Sequence, residues 1–170
     1  MSMEFTTKRL SMGQIGEKDL PALMALLTND TVKQTYMVPD FASEAEAEAS
    51  ARRLMARSKD PARYMAGIFL QDSLIGMIHD VERKGDAVEV GYALLPAYYN
   101  QGYCSEALRG AMEWLFAHGF RKVMAGAFEE NRASLRVMEK AGMTLQPETE
   151  DIDYRGKIHR CVYYAAVGEN

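Results

Sequence analysis

The spacing of apolar residues along the chain changes between the period of a helix and that of a strand. Helical spacing, in which apolar residues recur three and four positions apart, is found in four stretches. The first has a proline near its start, the second begins with a capping box of Ser43 and Glu46, and the last two end at a glycine. The predicted helices are 19–27, 43–51, 105–118 and 131–141. The second of them continues past 51 with Leu54 as a further apolar position.

The other apolar stretches alternate or run continuously over short lengths, as strands do. Turn residues separate them, and the turns Gln71-Asp72-Ser73 and Arg155-Gly156 each predict a hairpin. The predicted strands are one near the N-terminus, 64–70, 74–81, 87–95, 120–128, 143–154 and a last strand through Tyr163 and Tyr164. Because a helix lies between strands 87–95 and 120–128, we expect these two to be parallel. The order predicts an α/β fold with a mixed, mainly antiparallel sheet of six to seven strands and about four flanking helices.

Length and composition indicate an ordinary globular domain. The 170 residues are 48% hydrophobic and 26% charged, so we expect a single domain over 1–170. The net charge of −4, without a block of like charge, argues against nucleic acid as a partner. Cys104 and Cys161 form no C-x-x-C pair and the histidines are scattered, so neither a metal site nor a disulfide framework is expected. Residues 1–10 lack the apolar core of a signal peptide, and no apolar run approaches the ~20 residues of a membrane span, so we expect a cytoplasmic protein.

The segment 87–107 carries the first chemical signal. Strand 87–95 is followed by Pro96, a loop that contains Gly102, and the start of a helix. A helix N-terminus exposes N–H groups and the positive end of the helix dipole, and a glycine lets a phosphate approach the backbone closely. The order of strand, glycine loop and helix therefore predicts an anion site, although an ordinary turn has the same pattern. The chain contains no Walker A loop, no G-x-G-x-x-G fingerprint and no G-x-S-x-G elbow.

Three blocks of residues resemble a known family. The first reads Glu89-Val90-Gly91-Tyr92, then Pro96, then Gln101-Gly102-Tyr103-Cys104-Ser105-Glu106-Ala107. The second reads Asn131-Arg132-Ala133-Ser134, then Val137-Met138-Glu139-Lys140-Ala141-Gly142-Met143, and the third reads Tyr154-Arg155-Gly156-Lys157, then Tyr163-Tyr164. Together they resemble the GNAT superfamily of N-acetyltransferases, in particular the branch that includes the ribosomal-protein N-terminal acetyltransferases. The first block is similar to motif A, whose loop reads Q/R-x-x-G-x-G/A; this chain departs from it with Tyr99 at the start and Cys104 at the end.

The resemblance implies acetyl-coenzyme A as the co-substrate, no metal, and splayed central strands that hold the cofactor. The loop backbone would bind the pyrophosphate through its N–H groups, and the end of strand 87–95 would lie beside the pantetheine arm. The residues that the resemblance assigns to cofactor binding are Leu94, Leu95, Asn100, Gln101, Gly102, Tyr103, Cys104, Ser105, Asn131 and Ser134. Asn131 has a second interpretation, because an asparagine at this position also caps a helix.

The implied reaction is direct attack of a neutral primary amine on the thioester through a tetrahedral intermediate. The departing thiolate benefits from an acid, and the resemblance gives this role to Ser134; a serine that only bonds the backbone of a helix start is the alternative. The amine has to lose a proton, and Glu89 is the candidate base because it lies in the strand beside the cofactor. The alternative for Glu89 is a structural or surface carboxylate. Asp151 and Asp153 are further acidic candidates, and a backbone N–H near Leu94 is the candidate donor to the oxyanion.

The acceptor is open among a protein N-terminus, a polyamine, an amino acid and an amino-sugar compound. Tyr36, Met37 and Phe41 either line the acceptor entrance or pack on the core as loop residues. Two other functions stay open: a non-catalytic sensor that binds acyl-coenzyme A, and an interaction module that keeps only the fold. Homodimerisation through a sheet edge or the C-terminal hairpin is compatible with the sequence, although no feature demands it.

Overall fold

The computed structural model describes residues 2–169, and within them the chain forms eight strands and five α-helices. In chain order these are β1 (Phe5–Thr6), β2 (Ser11–Gly13), α1 (Leu20–Thr28), α2 (Asp30–Lys33), α3 (Glu44–Lys59), β3 (Met65–Leu70), β4 (Ser73–Lys84), β5 (Ala87–Leu94), α4 (Tyr103–Ala117), β6 (Lys122–Phe128), α5 (Arg132–Lys140), β7 (Thr144–Tyr154) and β8 (Lys157–Val167).

The strands are hydrogen-bonded in the order β1-β2-β3-β4-β5-β6-β8-β7. The pairing of β5 with β6 is parallel, as predicted for a crossover through a helix, and the ladders β1–β2, β2–β3, β3–β4, β6–β8 and β7–β8 are antiparallel. The predicted α/β fold with a mixed, mainly antiparallel sheet is therefore confirmed. The single domain over 1–170 and the splay of the central strands stay predictions.

The predicted counts of strands and helices were too low. Eight strands form instead of six to seven, because the N-terminal segment is a hairpin of two short strands instead of one strand. Its turn is closed by the N–H of Thr7, which donates to the carbonyl of Leu10 at 2.9 Å. A fifth helix, α2, is a single turn capped by Asn29, whose side chain accepts from the N–H of Val32. Strands β1 and β2 and helix α2 are too short for a repeating pattern of apolar residues to be recognised in the sequence.

The chain divides into two compact units, and strands β4 and β5 contribute residues to both. One unit extends to His79 and adds Tyr92–Tyr103. Its buried apolar cluster consists of Ile15, Leu23, Leu26, Leu27, Val32, Ala51, Met55, Met65, Leu74, Met77 and Ala93. Helix α3 in this unit begins as the sequence predicts, because Ser43 Oγ accepts from the N–H of Glu46 at 3.2 Å. The Glu46 carboxylate reaches back to the N–H of Ala42 at 2.7 Å, one residue before the cap.

The other unit consists of Asp80–Gly91 and the chain from Cys104 onwards. Here β6 pairs with β5 over Lys122–Ala125 and with β8 over its whole length. The residues predicted to form the apolar face of α4 are Leu108, Ala111, Met112, Leu115 and Phe116. The first four are buried and Phe116 is half-buried, so this face packs inward as predicted. Strands β7 and β8 form the predicted C-terminal hairpin, with Arg155 and Gly156 at positive φ in its turn.

Candidate active site

The connection from β5 to α4 is a tight loop with two residues in the left-handed region. After a short 3-10 turn over Pro96–Tyr98, Asn100 has φ +61° and Gly102 has φ +80°. Asparagine tolerates this region better than most residues, and glycine enters it without steric cost. Residues of these two types therefore let the chain turn sharply immediately before a helix. The glycine loop predicted from the sequence is present.

Helix α4 begins at Tyr103, two residues before the predicted start at 105. The prediction that Tyr103 and Cys104 lie in the loop was wrong, since with Ser105 they form the first turn of the helix. The first N–H groups of a helix have no acceptor within the helix, and they stand at the positive end of its dipole. Ser105 is buried, and burial raises the pKa of the Cys104 thiol to about 12. This turn can bind an anion through its backbone, and Cys104 stays a neutral thiol.

Arg9 reaches the loop from the turn between β1 and β2, 92 residues away in sequence. Its Nη1 donates a hydrogen bond to the carbonyl of Gln101 at 2.9 Å, and its guanidinium lies 4.3 Å from the centre of the Tyr103 ring. The side-chain amide of Gln101 donates to the carbonyl of Ala97 at 3.3 Å, so the loop is also tied to the 3-10 turn. This contact of Arg9 could not be predicted from the sequence, because no local pattern connects residue 9 to a loop near residue 101.

The end of β5 is held closely to β4. The N–H of Leu95 donates to the carbonyl of Ile75 at 2.8 Å, and its carbonyl accepts from the N–H of Tyr98 at 3.0 Å. A Cβ at Gly76 would stand 2.3 Å from the carbonyl oxygen of Ala93, so only glycine allows this approach. Because both backbone groups of Leu95 are already hydrogen-bonded, its side chain is the part best placed for a ligand. Leu94 is buried.

The start of α5 reconciles the two interpretations of Asn131. Its Oδ1 accepts a hydrogen bond from the N–H of Ser134 at 3.2 Å, so the predicted cap is confirmed. The cap uses only the oxygen of the side chain. The amide nitrogen donates to no residue in the described part of the chain, so Asn131 can cap the helix and still donate to a ligand. Ser134 is half-buried in the first turn of the helix.

Glu89 lines a cavity of about 380 Å³. The other lining residues are Glu82, Lys84, Ala87, Val88, Met124, Glu148, Thr149, Glu150 and Tyr163. Burial raises the pKa of the half-buried Glu89 carboxyl, and the nearby carboxylates of Glu82 and Glu150 raise it further, against a smaller opposing effect of Lys84. The Tyr163 hydroxyl donates to the Glu150 carboxylate at 2.8 Å. A carboxylate with a raised pKa, in a cavity that three other glutamates also line, is suited to accept a proton from an amine.

The residues considered for the acceptor entrance have different environments. Tyr36 and Phe41 pack against the buried apolar cluster, whereas the Met37 side chain is largely exposed. The Tyr36 hydroxyl lies 2.7 Å from Nε2 of the buried His79, and burial raises the pKa of Tyr36 to about 12. Phe41 also borders a cavity of about 580 Å³ between α1 and α3.

Within residues 2–169, no three or more His, Cys, Asp or Glu side chains are grouped so that they could hold a metal ion. None of the helices in the same range has the length and apolar character needed to cross a membrane.

Asp151 and Asp153, the further acidic candidates, are exposed on β7.

Comparison with known proteins identifies the family. The family model described as the acetyltransferase (GNAT) domain matches residues 9–144. The chain belongs to the GNAT acetyltransferase family. Two relatives from Bacillus subtilis (strain 168) are 30% identical: the uncharacterized N-acetyltransferase YoaA over 141 residues, which is 80% of each chain, and the uncharacterized N-acetyltransferase YnaD over 169 residues, which is 98% of each.

A solved structure has the same fold as this GNAT protein. It is RimL, a ribosomal L7/L12 alpha-N-protein acetyltransferase in complex with coenzyme A, with a TM-score of 0.82, 22% identity and 95% coverage of each chain. At this identity the similarity establishes the fold only. The resemblance read from the three sequence blocks is thus confirmed for the family and the fold.

Proposed function

We propose that this GNAT protein transfers an acetyl group from acetyl-coenzyme A to a primary amine, and that the loop before α4 binds the pyrophosphate. The observation that carries the proposal is the backbone of this loop. Asn100 and Gly102 adopt left-handed conformations directly before the N–H groups of the first helical turn. A phosphate can approach such a loop closely and accept several backbone N–H groups. The coenzyme A complex of RimL supports the same ligand.

In the proposed complex, different segments of the chain would contact different parts of the cofactor. The pyrophosphate would be bound by the backbone from Asn100 to Ser105. The end of β5 at Leu94 and Leu95 would lie along the pantetheine arm, and the half-buried Leu95 side chain would contact it. Asn131 would donate its amide N–H to a carbonyl of the arm, since its oxygen is used in the cap. Bound acetyl-coenzyme A supplies a thioester as the acyl donor.

Two side chains of this chain would move protons in the proposed reaction. The amine nitrogen forms a bond to the acetyl carbonyl carbon, the carbon–sulfur bond breaks, the nitrogen loses a proton and the thiolate gains one. We assign the proton donation to the Ser134 hydroxyl and the proton acceptance to the Glu89 carboxylate. The raised pKa of Glu89 supports its role, because a base works best when its pKa is near the working pH.

The chemistry around Glu89 favours a cationic acceptor. Glu82, Glu148 and Glu150 line the same cavity, with Lys84 as its one basic lining residue. The net charge of −4 acts in the same direction at longer range. We therefore expect a protein N-terminus, a polyamine or another small amine, and no nucleic acid. A cytoplasmic location remains our expectation for such an enzyme.

An acetylation screen tests the proposal. Release of coenzyme A thiol is followed over polyamines, amino acids, aminoglycosides and peptides with unblocked N-termini. We expect acetyl-coenzyme A-dependent release with at least one class of amine. Binding of coenzyme A without release over the whole panel would favour a sensor. No binding at millimolar coenzyme A would leave only an interaction module, and the proposal would be wrong.

The acid role is tested with Ser134→Ala. We expect kcat to fall by about 10²-fold or more while the Kd of coenzyme A changes little, because a general acid acts on the transition state. Ser50→Ala is the control, since Ser50 is a half-buried helical serine of α3 outside the candidate site. If Ser134→Ala turns over as fast as Ser50→Ala, Ser134 is only a helix-start residue.

A further inference from the structure

We infer that Glu130 and His159 form a positioning pair for the start of α5, and that this pair holds Asn131 where it can bind the pantetheine arm. The inference rests on the proposed function of Asn131. Glu130 lies in the turn between β6 and α5, and His159 lies on β8, 29 residues later in the chain. Nδ1 of His159 is hydrogen-bonded to the Glu130 carboxylate. The pair therefore joins the C-terminal strand to the residue directly before Asn131.

The hydrogen bond of the pair has a defined direction. The pKa of the Glu130 carboxyl is lowered, chiefly by the bond with His159, so this carboxyl is an ionised acceptor near neutral pH. The proton of the bond therefore lies on His159 Nδ1. The His159 side chain is 12% exposed, whereas that of Glu130 is 51% exposed. The more buried imidazole is thus the fixed partner, and it holds the carboxylate of the turn.

The His159 ring also contacts the first residue of the turn. It stacks on the ring of the buried Phe128, with 4.2 Å between the ring centres and 16° between the planes. The Phe128 carbonyl accepts from the N–H of Asn131 at 2.8 Å and closes the turn. The N–H of Glu129 donates to the carbonyl of Arg160 at 2.8 Å, so the backbone of the turn is held to β8 as well. His159 therefore contacts the first and third residues of a four-residue turn that ends at Asn131.

Helix α5 needs such contacts at its N-terminal end. A helix of nine residues is marginal on its own, so tertiary contacts decide where its first turn lies. Its buried residue, Met138, lies in the C-terminal half, and so does Glu139, whose carboxylate accepts from the Tyr164 hydroxyl at 2.9 Å. These contacts hold the far end of the helix. Loss of the pair should therefore displace Asn131 more than the C-terminal half of α5.

The two roles of Asn131 make its orientation critical. Its Oδ1 accepts from the N–H of Ser134 at 3.2 Å, and its amide nitrogen would donate to the pantetheine arm. The oxygen and the nitrogen belong to one planar amide group, so the cap and the ligand bond share a single side-chain orientation. A turn that is no longer held by His159 can keep the cap and still move the donor away from the ligand.

Calorimetry with two ligands tests the inference. Coenzyme A contains the pantetheine arm, whereas adenosine 3′-phosphate 5′-diphosphate keeps the pyrophosphate and lacks the arm. We expect Glu130→Ala and His159→Phe each to raise the Kd of coenzyme A about fivefold, the effect of losing one hydrogen bond, and to leave the Kd of the shorter ligand unchanged. His159→Phe keeps an aromatic ring beside Phe128 and removes the donor.

Two further variants serve as rescue and control. Glu130→Gln should keep the parent Kd, because its amide oxygen still accepts from His159 Nδ1. Glu129→Ala should also bind coenzyme A as the parent does, since the exposed Glu129 carboxylate reaches only Arg160, at 3.9 Å. The double variant of Glu130→Ala and His159→Phe should bind no more weakly than either single variant, because both changes remove the same bond.

The outcomes separate this inference from the proposed function. A Kd for coenzyme A within twofold of the parent in both single variants, or additive losses in the double variant, would overturn the role of the pair. Equal losses with both ligands that Glu130→Gln does not restore would also overturn it, because the pair would then be only a general support of the fold. No binding of coenzyme A by the parent at millimolar concentration would overturn the proposed function itself.

Discussion

Substitution of Gly102 by alanine tests whether the left-handed backbone conformation of the loop is needed for stability, for coenzyme A binding or for both. Gly102 has φ +80°, and an L-residue in the left-handed region costs about 1–2 kcal/mol. The added Cβ would stand 3.3 Å from Arg9 Nη2, which is the end of a flexible side chain and can move. We therefore expect the backbone to account for nearly all of the loss in stability, about 1 kcal/mol or slightly more.

Gly142 provides a matched control for Gly102→Ala. It has φ +92° after the C-terminus of α5, and no atom lies within 4 Å of a Cβ built on it. Gly142→Ala therefore carries a similar backbone penalty without a neighbouring atom, at a residue that is not part of the loop. Each variant should lower Tm by about 2–4 °C, the shift expected per kcal/mol for a chain of this size.

Only one of the two variants should affect the ligand. In the proposed complex a phosphate approaches the loop backbone closely at Gly102, and a side chain there would hinder it. We therefore expect Gly102→Ala to bind coenzyme A about tenfold more weakly or worse. Gly142→Ala should bind coenzyme A as the parent does. Urea unfolding gives the stability and calorimetry gives the Kd. The reasoning is refuted if Gly102→Ala loses stability as Gly142→Ala does but keeps the parent Kd.

Three further predictions follow from buried or closely packed groups. Burial raises the pKa of Glu89 above 4.5, so the folded state binds more protons than the unfolded state and stability falls as pH rises through the folded pKa. In scanning fluorimetry, Glu89→Gln should therefore have the Tm of the parent near pH 4 and a higher Tm than the parent at about pH 8. A variant with the Tm of the parent at both pH values would contradict this. Burial raises the pKa of Cys104 to about 12 and also raises that of Cys161, so both thiols should be protonated at about pH 8. Native alkylation by iodoacetamide at this pH should be at least ~100-fold slower than that of free cysteine, and rapid labelling would contradict the raised pKa values. A Cβ at Gly76 would lie 2.3 Å from the Ala93 carbonyl oxygen. Gly76→Ala should therefore lower the free energy of unfolding, measured by urea denaturation, by about 2–3 kcal/mol. A loss below about 1 kcal/mol would contradict the close approach of the two strands.

The parts of the fold that the sequence predicted are those governed by local rules. Helix caps at Ser43 and Asn131 formed with the hydrogen bonds that their side chains predict. The glycines at 119 and 142, expected to end helices, both have positive φ. The long strands and helices were predicted within a few residues, because an apolar period repeats several times within each. The short strands β1 and β2 contain too few residues for a period and were merged into one.

The parts of the site that the sequence could not predict depend on residues far apart in the chain. Arg9 contacts Gln101 through a turn formed 92 residues earlier, which no spacing rule encodes. The environment of Glu89 is built from β4, β7 and β8, so its raised pKa depends on the pairing of the whole region. The start of α4 was misplaced because Tyr103 and Cys104 stand at positions that belong to the loop in motif A, although they form the first helical turn here.

Hydrogen–deuterium exchange with coenzyme A tests most directly whether the loop before α4 binds the cofactor. The parent protein is exchanged with and without saturating coenzyme A, and peptides over 96–107 are compared with peptides over 149–157 from the C-terminal hairpin. We predict slower exchange over 96–107, since the N–H groups of the loop and the first turn of α4 would donate to phosphate oxygens, and no change in the hairpin turn. Unchanged exchange over 96–107 at a coenzyme A concentration that saturates binding would contradict the account.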